Sequence, residues 1–157
     1  ILGTTDDGAA PLESALDQAR ILLSAEILGG VNEVFERTLE YLKERKQFGV
    51  PIGGFQALRH RASAIFSEIE ICKAVVTFAL SQSDKKSNQI ARLSSLTKAR
   101  LSEASTLVSN EGLQMHGGIG MTDDVDIGLF MKRARVQLQL LGDPRFHRER
   151  YARLNGY

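Results

Sequence analysis

Apolar residues recur at every third or fourth position along four long segments of this chain, the spacing that lines one face of an α-helix. No stretch alternates between apolar and polar residues for long enough to predict a β-strand. Short loops separate the segments, and short loops make neighbouring helices antiparallel. The pattern therefore predicts an all-α fold, an up-down-up-down four-helix bundle with a short extra helix at its C-terminal end. The periodic positions span residues 12–42, 55–79, 90–115 and 125–140, and the extra helix spans 145–154.

Proline and glycine mark the expected ends of the first helix. Pro11 suits a helix N-terminus, where its missing N–H group costs nothing. Residues 1–11 are therefore expected to form a flexible lead-in, and residues 12–157 the bundle. The helix is expected to stop at Gly49, with the cations that precede this glycine in its last turn.

A pair of glycines interrupts the first helix. Gly29 and Gly30 have no polar neighbours that would indicate a loop, so the helix is expected to continue through them. Each glycine costs a helix on the order of 1 kcal/mol relative to alanine. We therefore expect the backbone of a neighbouring segment to pack closely against this pair.

The fourth helix is expected to begin near Thr122, whose hydroxyl group can cap a helix N-terminus. Asp123 and Asp124 would then lie in the first turn, where carboxylates suit the helix dipole. The side of this helix that faces the core is expected to carry Val125, Leu129, Val136 and Leu140.

Composition and charge exclude several classes of protein. The chain has 157 residues, of which 43% are hydrophobic, so its composition is that of an ordinary globular domain. Its formal net charge of +1 argues against a nucleic-acid-binding protein, which needs a basic excess. No apolar run approaches the roughly 20 residues that span a bilayer, and residues 1–7 show no signal peptide. We therefore expect a cytoplasmic protein without membrane association.

The single cysteine and a lone histidine have structural explanations. One cysteine cannot form an internal disulfide or a cysteine-built metal site. Cys72 falls on the apolar stripe of the second helix and is expected to be a buried, inert thiol. His60 stands between Arg59 and Arg61, off that stripe, and is expected to lie in a solvated basic patch. No HxxxH or ExxH spacing supports a metal site.

Two short clusters contain residues that the ends of helices do not explain. The first runs from Glu44 to Gln56, and helix punctuation explains its cations and its glycine. It does not explain the aromatic Phe48 beside Arg45, or the polar Gln56 next to an apolar residue. These positions are therefore candidates for contact with a ligand.

The second cluster, Gln114–Thr122, contains three glycines where one helix stop needs one. Such a turn lets backbone approach a ligand closely, with N–H groups directed at anionic oxygens. Asp123 and Asp124 follow at once, however, and would repel a phosphate group at that helix terminus. The residues alone leave open whether this turn contacts a ligand.

Together, the two clusters resemble the C-terminal helical domain of the acyl-CoA dehydrogenases, a family of flavoenzymes. The strings that carry the resemblance are Tyr41–Ile52 (YLKERKQFGVPI), Phe55-Gln56 and Gln114–Thr122 (QMHGGIGMT). The resemblance extends over nearly the whole chain. The family fold in this region is a four-helix bundle, in agreement with the periodicity.

The resemblance implies an FAD-dependent enzyme that removes a proton from the carbon α to an acyl-CoA thioester carbonyl and passes the β hydride to the flavin. It also implies a homodimer or homotetramer whose flavin is reoxidised by an electron-transferring flavoprotein. Arg45 and Phe48 match residues that contact the FAD of a neighbouring subunit, and Gln56 matches a further flavin-contacting glutamine. The loop beside the adenosine diphosphate portion is matched by Gln114, Gly117 and Gly118.

The chain departs from the family at the catalytic base. Most members carry a glutamate at the position matched by Leu141, and a subset carries it at the position matched by Ala19. Neither residue can accept a proton. Asp143 would substitute if the turn were shifted, although Gly-Asp-Pro is also an ordinary turn sequence. Glu26, at the edge of the apolar stripe, is expected to be a structural carboxylate rather than a base.

Two functions therefore stay open. The chain is either the C-terminal domain of an active acyl-CoA dehydrogenase or a non-catalytic subunit or assembly module of that fold. If the chain were a plain helical bundle, both matches to the family's motifs would be coincidences. Because the family's flavin lies between this bundle, a β-domain and a second subunit, we expect the chain to be a fragment of a longer protein, inactive by itself.

Overall fold

The computed structural model describes residues 8–85 and 88–157, which form five α-helices and one short β-hairpin. The prediction of an all-α bundle with a short extra helix is confirmed. Residues 1–7 of the expected lead-in lie outside the described residues, and the first helix begins two residues before Pro11. The helices are α1 (Ala9–Glu44), α2 (Gln56–Asp84), α3 (Ile90–His116), α4 (Ile127–Gln139) and α5 (Pro144–Leu154); the antiparallel strands are β1 (Lys46–Gln47) and β2 (Val50–Pro51).

Contacts at both ends show that α1 and α3 run parallel. At one end the Ser94 hydroxyl donates a hydrogen bond to Asp17 Oδ1 (2.6 Å). At the other end the rings of Tyr41 and His116 stack with their centroids 4.4 Å apart. We call the end that carries the β-hairpin the hairpin end, and the end that carries α5 the α5 end.

The helices α2 and α4 run in the opposite direction. Ser83, near the end of α2, donates a hydrogen bond to Gln18 near the start of α1 (2.7 Å). Asp126, just before α4, pairs with Arg37 in the second half of α1 (3.4 Å). The order is therefore up-down-up-down, with α3 in contact with all the other helices.

One apolar core runs between the four long helices. Cys72 lies within it with no exposed surface, and burial raises the pKa of its thiol to about 11, so the expectation of a buried thiol is confirmed. None of the described helices is long and apolar enough to cross a membrane. The core side chains that each helix contributes include Ile27, Val31 and Val34 from α1, Ile65, Ile69 and Val76 from α2, Leu101, Val108 and Met115 from α3, and Ile127 from α4.

The first helix ends at Glu44, so its expected end at Gly49 is wrong. Arg45 is extended (ψ 124°), and the chain then reverses through the hairpin. Phe48 (φ 54°) and Gly49 (φ 80°) occupy the two-residue turn between the strands, and both have the positive φ that such turns require. Gly49 therefore serves the hairpin turn and not a helix stop.

The expected start of the fourth helix is also wrong, as is its expected inward face, apart from Val125, which packs against the core from the turn before the helix. The helix begins at Ile127, because the glycine-rich segment 117–121 forms a 3-10 helix and Thr122 closes a turn by donating to the Ile119 carbonyl oxygen (2.8 Å). Two sets of residues in this segment have helical spacing. The set that packs against the core is the less apolar of the two. It contains the buried residues Ile127, Ala134 and Gln137. The outward stripe contains Leu129, Val136 and Leu140, which are 59%, 56% and 44% exposed.

No backbone of the described chain packs against the glycine pair of α1, contrary to expectation. A Cβ atom built on Gly29 or on Gly30 meets nothing within 4 Å. The glycines therefore keep space open on this part of α1.

Candidate functional site

The first cluster forms an exposed hairpin directly after α1. The carbonyl oxygen of Arg45 accepts a hydrogen bond from the N–H of Ile52 (2.8 Å), which closes the hairpin at its base. Phe48 stands at the tip with 91% of its surface exposed and a positive φ. That backbone conformation costs a non-glycine residue roughly 1 kcal/mol, and the exposed ring gains nothing from burial. Stability of the fold does not explain Phe48, and such strain is typical of functional sites.

The predicted binding residues next to Phe48 are also available to a ligand. The Arg45 guanidinium is exposed and forms no hydrogen bond or ion pair with any residue in the described ranges 8–85 and 88–157. The rings of Phe48 and Phe55 meet edge to face with centroids 6.0 Å apart, and Gln56 follows at the exposed start of α2. The hairpin end thus carries a free guanidinium group, an aromatic ring and a side-chain amide.

The glycine-rich loop after α3 contains glycines with different roles. Gly117 has a positive φ (66°), which lets the chain leave the helix. A Cβ on Gly120 would lie 2.9 Å from the Leu113 carbonyl oxygen, so close packing requires this glycine. Gly118 is exposed, has no positive φ, and a Cβ on it would meet nothing within 4 Å. The fold therefore explains two of the three glycines and leaves Gly118 free for close approach of a ligand.

A stacked pair of rings holds the two clusters at the same end of the bundle. Tyr41 lies in the last turn of α1, just before Arg45, and stacks on His116 at the end of α3. His116 is 6% exposed, and its Nδ1 donates to the Gly112 carbonyl oxygen at 2.7 Å. A carbonyl oxygen only accepts, so Nδ1 carries the proton. Gln114 is exposed on the last turn before this ring.

The two positions that match the family's base meet at the α5 end. Leu141 (φ 60°) and Gly142 (φ 108°) form the turn between α4 and α5. The Leu141 carbonyl oxygen accepts hydrogen bonds from His147 Nε2 (3.0 Å) and from Arg20 Nε (3.4 Å), and Arg20 follows Ala19 in α1. Ala19 and Leu141 therefore lie at the same end of the bundle, although neither side chain can accept a proton.

The carboxylates near this turn already have structural partners. Asp143 caps α5 by accepting a hydrogen bond from the Phe146 N–H (2.8 Å). Hydrogen bonding to Arg133 lowers the pKa of Glu26, and Gln137 donates to the same oxygen at 2.9 Å. The expectation that Glu26 is a structural carboxylate agrees with this geometry, since an ion-paired carboxylate with a lowered pKa is a poor base.

Sequence reasoning missed a buried network at the α5 end. Asp17 accepts hydrogen bonds from Arg20 Nη1 (2.8 Å), Arg150 Nη2 (2.9 Å) and Ser94 Oγ (2.6 Å). Nearby, Lys98 has no exposed surface, and its Nζ donates to Ser102 Oγ and to the carbonyl oxygens of Gln137 and Gly142. The available signal was the position of Asp17, which lies on the α1 face that also carries Ile21, Ser24, Ile27 and Val31.

His147 gives this end a predicted sensitivity to acid. It is fully buried, its Nδ1 has no partner among the described residues, and burial lowers its pKa to about 4. Above pH 6.5 both the folded and the unfolded forms are neutral. Between pH 6.5 and pH 4 only the unfolded chain takes up the proton, so we expect the free energy of unfolding to fall with pH by up to about 1.4 kcal/mol per unit.

Urea unfolding of the wild type and the His147→Gln variant across this pH range measures the effect. Glutamine keeps an N–H donor for the Leu141 carbonyl but does not titrate, so the variant's pH dependence should be flatter. His60→Gln, at an exposed position, is the matched control and should leave the wild-type pH dependence unchanged. Equal slopes in the wild type and His147→Gln would contradict the assignment.

Comparison with known proteins agrees with the fold and with the family that the sequence resembles. The family model for the acyl-CoA dehydrogenase C-terminal domain matches residues 6–154. The acyl-CoA dehydrogenase IpdE2 of Mycolicibacterium smegmatis is 40% identical over 129 residues, which cover 82% of this chain and 40% of that protein. The chain therefore belongs to the acyl-CoA dehydrogenase family, and it spans about 40% of the length of such a relative.

Solved structures share the whole fold. An acyl-CoA dehydrogenase from Geobacillus kaustophilus superposes with a TM-score of 0.94 at 24% identity, covering 99% of this chain and 41% of its own. PigA, solved with FAD and proline, superposes with a TM-score of 0.92 at 26% identity, covering 98% of this chain and 40% of its own. The first of these likenesses concerns the fold alone, and the second is to a protein that binds FAD.

Proposed function

We propose that this chain is the C-terminal domain of an FAD-dependent enzyme that dehydrogenates an acyl-CoA thioester between its α and β carbons. Bound FAD would supply the hydride acceptor. The observation that carries the proposal is the hairpin end, where the Arg45 guanidinium has no partner among the described residues, the Phe48 ring is exposed, and the space beside Gly118 is open. A free guanidinium, an exposed ring and an open glycine fit the pyrophosphate and the rings of a flavin dinucleotide.

Each predicted contact has a chemical role in this proposal. Arg45 donates charge-assisted hydrogen bonds to pyrophosphate oxygens. Phe48 packs its ring against an aromatic or apolar part of the cofactor. Gln56 donates a side-chain amide hydrogen bond. The glycine-rich loop offers exposed backbone through Gly117 and Gly118, beside the amide of Gln114.

The distance between the two ends supports an oligomer. Ala19 and Arg45 are both on or next to α1, and the helix rise between them is about 39 Å. A flavin ring next to Ala19 would therefore be far from Arg45 of the same chain. We propose that the hairpin end contacts the cofactor of a neighbouring subunit in a homodimer or homotetramer, and that the remainder of the protein supplies the β-domain and an N-terminal helical domain. An electron-transferring flavoprotein in the cytoplasm would reoxidise the flavin.

Loss of the Arg45 guanidinium is expected to weaken FAD binding. In the complete protein, Arg45→Ala removes a charge-assisted contact worth about 1.5–3 kcal/mol, so the Kd for FAD should rise roughly tenfold to a hundredfold. Flavin absorbance after desalting, and fluorescence titration of the apoprotein with FAD, measure the change.

The matched control is Arg145→Ala, which removes another exposed arginine, at the α5 end, where its partner among the described residues is Glu149. This variant should bind FAD as the wild type does. If both variants retain full flavin, Arg45 does not contact the cofactor. If the wild-type protein itself carries no flavin, the proposed function is wrong.

A second candidate function is a non-catalytic subunit or assembly module of this fold. It is favoured by Leu141 and Ala19, which occupy the two base positions with side chains that cannot accept a proton. If the complete protein dehydrogenates its substrate and Asp143 is only a helix cap, the base then comes from outside this chain. Anaerobic addition of acyl-CoA thioesters separates the candidates, since flavin that never bleaches favours the non-catalytic subunit.

Asp143→Asn is expected to leave the rate of flavin bleaching unchanged within about twofold. Asparagine caps helices about as well as aspartate, so α5 should keep its N-terminus. A carboxylate that acts as general base contributes roughly 10²- to 10⁴-fold. A loss of that size in stopped-flow absorbance, with an unchanged melting temperature, would make Asp143 the base and contradict its assignment as a cap alone.

A further inference from the structure

A cavity of about 200 Å³ lies between α1, α3 and α4, and none of its lining residues belongs to the hairpin or to the α4–α5 turn. Apolar side chains of α1 and α4 form its walls. Two serines of α3, Ser105 and Ser109, form its polar side. The apolar lining residues are Ile27, Val31, Val34 and Phe130.

One glycine of the α1 pair lines this cavity. Gly30 lines the cavity, whereas Gly29 does not and is exposed. A Cβ on Gly30 would meet nothing within 4 Å, so packing within the described chain does not require glycine there. Glycine nevertheless costs a helix about 1 kcal/mol relative to alanine. A larger side chain at position 30 would take up the space that the glycine leaves.

Ser105 is the second, independent observation that points to a ligand. Its side chain lines the cavity, the residue is only 7% exposed, and its hydroxyl forms no hydrogen bond with any residue of the described segments. By contrast, Thr97 and Thr106 of the same helix bond back to carbonyl oxygens at 2.9 and 3.0 Å. Because Ser105 lines the cavity, an oxygen atom of a bound molecule would give its hydroxyl the hydrogen-bond partner that the described residues do not supply.

A polar bridge between α1 and α4 lines one part of the cavity. Glu26 Oε1 accepts hydrogen bonds from Arg133 Nη2 (2.5 Å) and Gln137 Nε2 (2.9 Å). The side chains of Glu26 and Arg133 are about half exposed, at 51% and 54%. Ion pairs this exposed contribute about 0–1 kcal/mol, so the bridge can open for a ligand at little cost.

We propose that this cavity binds a compact, ring-sized apolar group that carries a hydroxyl or carbonyl oxygen, with the oxygen at Ser105. An apolar cavity of about 150 Å³ holds a benzene molecule, so one of 200 Å³ accommodates a six-membered ring with one substituent. The group belongs either to a free small molecule or to the acyl part of a thioester. Both sources present the same chemistry to the cavity, and the proposal does not depend on the proposed function.

The test uses the complete protein and three probes: cyclohexanol, methylcyclohexane and 1-hexanol. Ligand-detected NMR titrations should give the tightest binding for cyclohexanol. Ser105→Ala should weaken cyclohexanol roughly three- to tenfold and leave methylcyclohexane unchanged, because it removes one hydrogen bond without changing the apolar walls.

Two neighbouring glycines provide a matched pair of variants. Gly30→Leu fills the cavity and should weaken cyclohexanol more than tenfold, whereas Gly29→Leu adds the same side chain outside the cavity and should leave binding unchanged. Thermal unfolding of both variants controls for the fold. The proposal is overturned if cyclohexanol does not bind the wild type, or if Gly30→Leu binds it as Gly29→Leu does.

Competition with acyl-CoA identifies the source of the bound group. If cyclohexanol raises the apparent Kd for a thioester with a ring-bearing acyl group, and Gly30→Leu removes that competition, the cavity receives the acyl part of a substrate. If the two bind independently, the cavity serves a free small molecule. Either result supports the same binding chemistry at Ser105.

Discussion

Replacing Asp17 with alanine is expected to lower the free energy of unfolding by about 3–5 kcal/mol, a large part of the stability of a domain this size. The Asp17 carboxylate lies between the guanidinium groups of Arg20 and Arg150, and all three residues are at most 7% exposed. Its removal leaves two cations buried with only Glu13, whose side chain is half exposed, to balance them. Urea unfolding followed by circular dichroism measures the loss.

Asp126→Ala is the matched control for this prediction. Asp126 also pairs with an arginine, Arg37, but its side chain is 64% exposed, so its loss should change the unfolding free energy by less than about 1 kcal/mol. If Asp17→Ala cost no more than Asp126→Ala, the buried network would not stabilise the fold.

The same buried network is expected to make the free energy of unfolding depend on pH in acid. Burial alone raises the pKa of Asp17, but hydrogen bonds from Arg150, Ser94 and Arg20 outweigh burial and hold the pKa below its ordinary value of 3.8. A carboxylate with a lowered pKa stabilises the fold above that ordinary value and loses its contribution as pH falls through the lowered one. The wild type should therefore lose more stability than Asp17→Ala when the pH falls below about 4.

The sequence predicted the helices best where only one apolar stripe was present. The stripes of α2 and α3 place Ile69, Cys72, Leu101 and Val108 in the core, where the structure has them. In α4 two stripes compete, and the inward one includes the polar Gln137, so apolar spacing favoured the outward Leu129 and Val136. A helix whose outer face is the more apolar suits a chain that spans about 40% of a relative's length.

The functional and buried polar residues also include some that the sequence predicted and some that it missed. Resemblance of motifs identified Arg45, Phe48 and Gly118, and the structure adds that the Arg45 and Phe48 side chains are exposed and that the space beside Gly118 is open. The buried charges were missed because a periodicity that follows apolar residues passes over Asp17 and Lys98. Burial of such groups depends on partners from α4 and α5, which no local pattern connects to α1 or α3.

Lys98→Met is expected to lower the free energy of unfolding by about 3–5 kcal/mol and to loosen the α4–α5 turn. The Lys98 ammonium has three N–H donors, and Ser102 Oγ (2.8 Å), the Gln137 carbonyl (2.9 Å) and the Gly142 carbonyl (3.0 Å) accept them. Methionine fills a similar volume but leaves these buried acceptors unpaired, at about 1–3 kcal/mol each. Hydrogen exchange should become faster at the amides of Leu141 and Gly142 than at those of α2.

Titration of Lys98 is expected to make the free energy of unfolding rise with pH in alkaline solution. This pH dependence comes from the charge of the side chain and not from its packing. Burial lowers the pKa of Lys98 from 10.5 to about 8. Between pH 8 and pH 10.5 the folded protein has released this proton and the unfolded chain still holds it, so Lys98 makes stability rise with pH in that window. Lys98→Met should lack this rise, and Lys132→Met, at an exposed position of α4, should keep it. A wild type and a Lys98→Met variant with parallel pH profiles would show that the ammonium does not titrate in this window. Parallel profiles together with unchanged exchange at Leu141 would also show that Lys98 does not hold the α4–α5 turn.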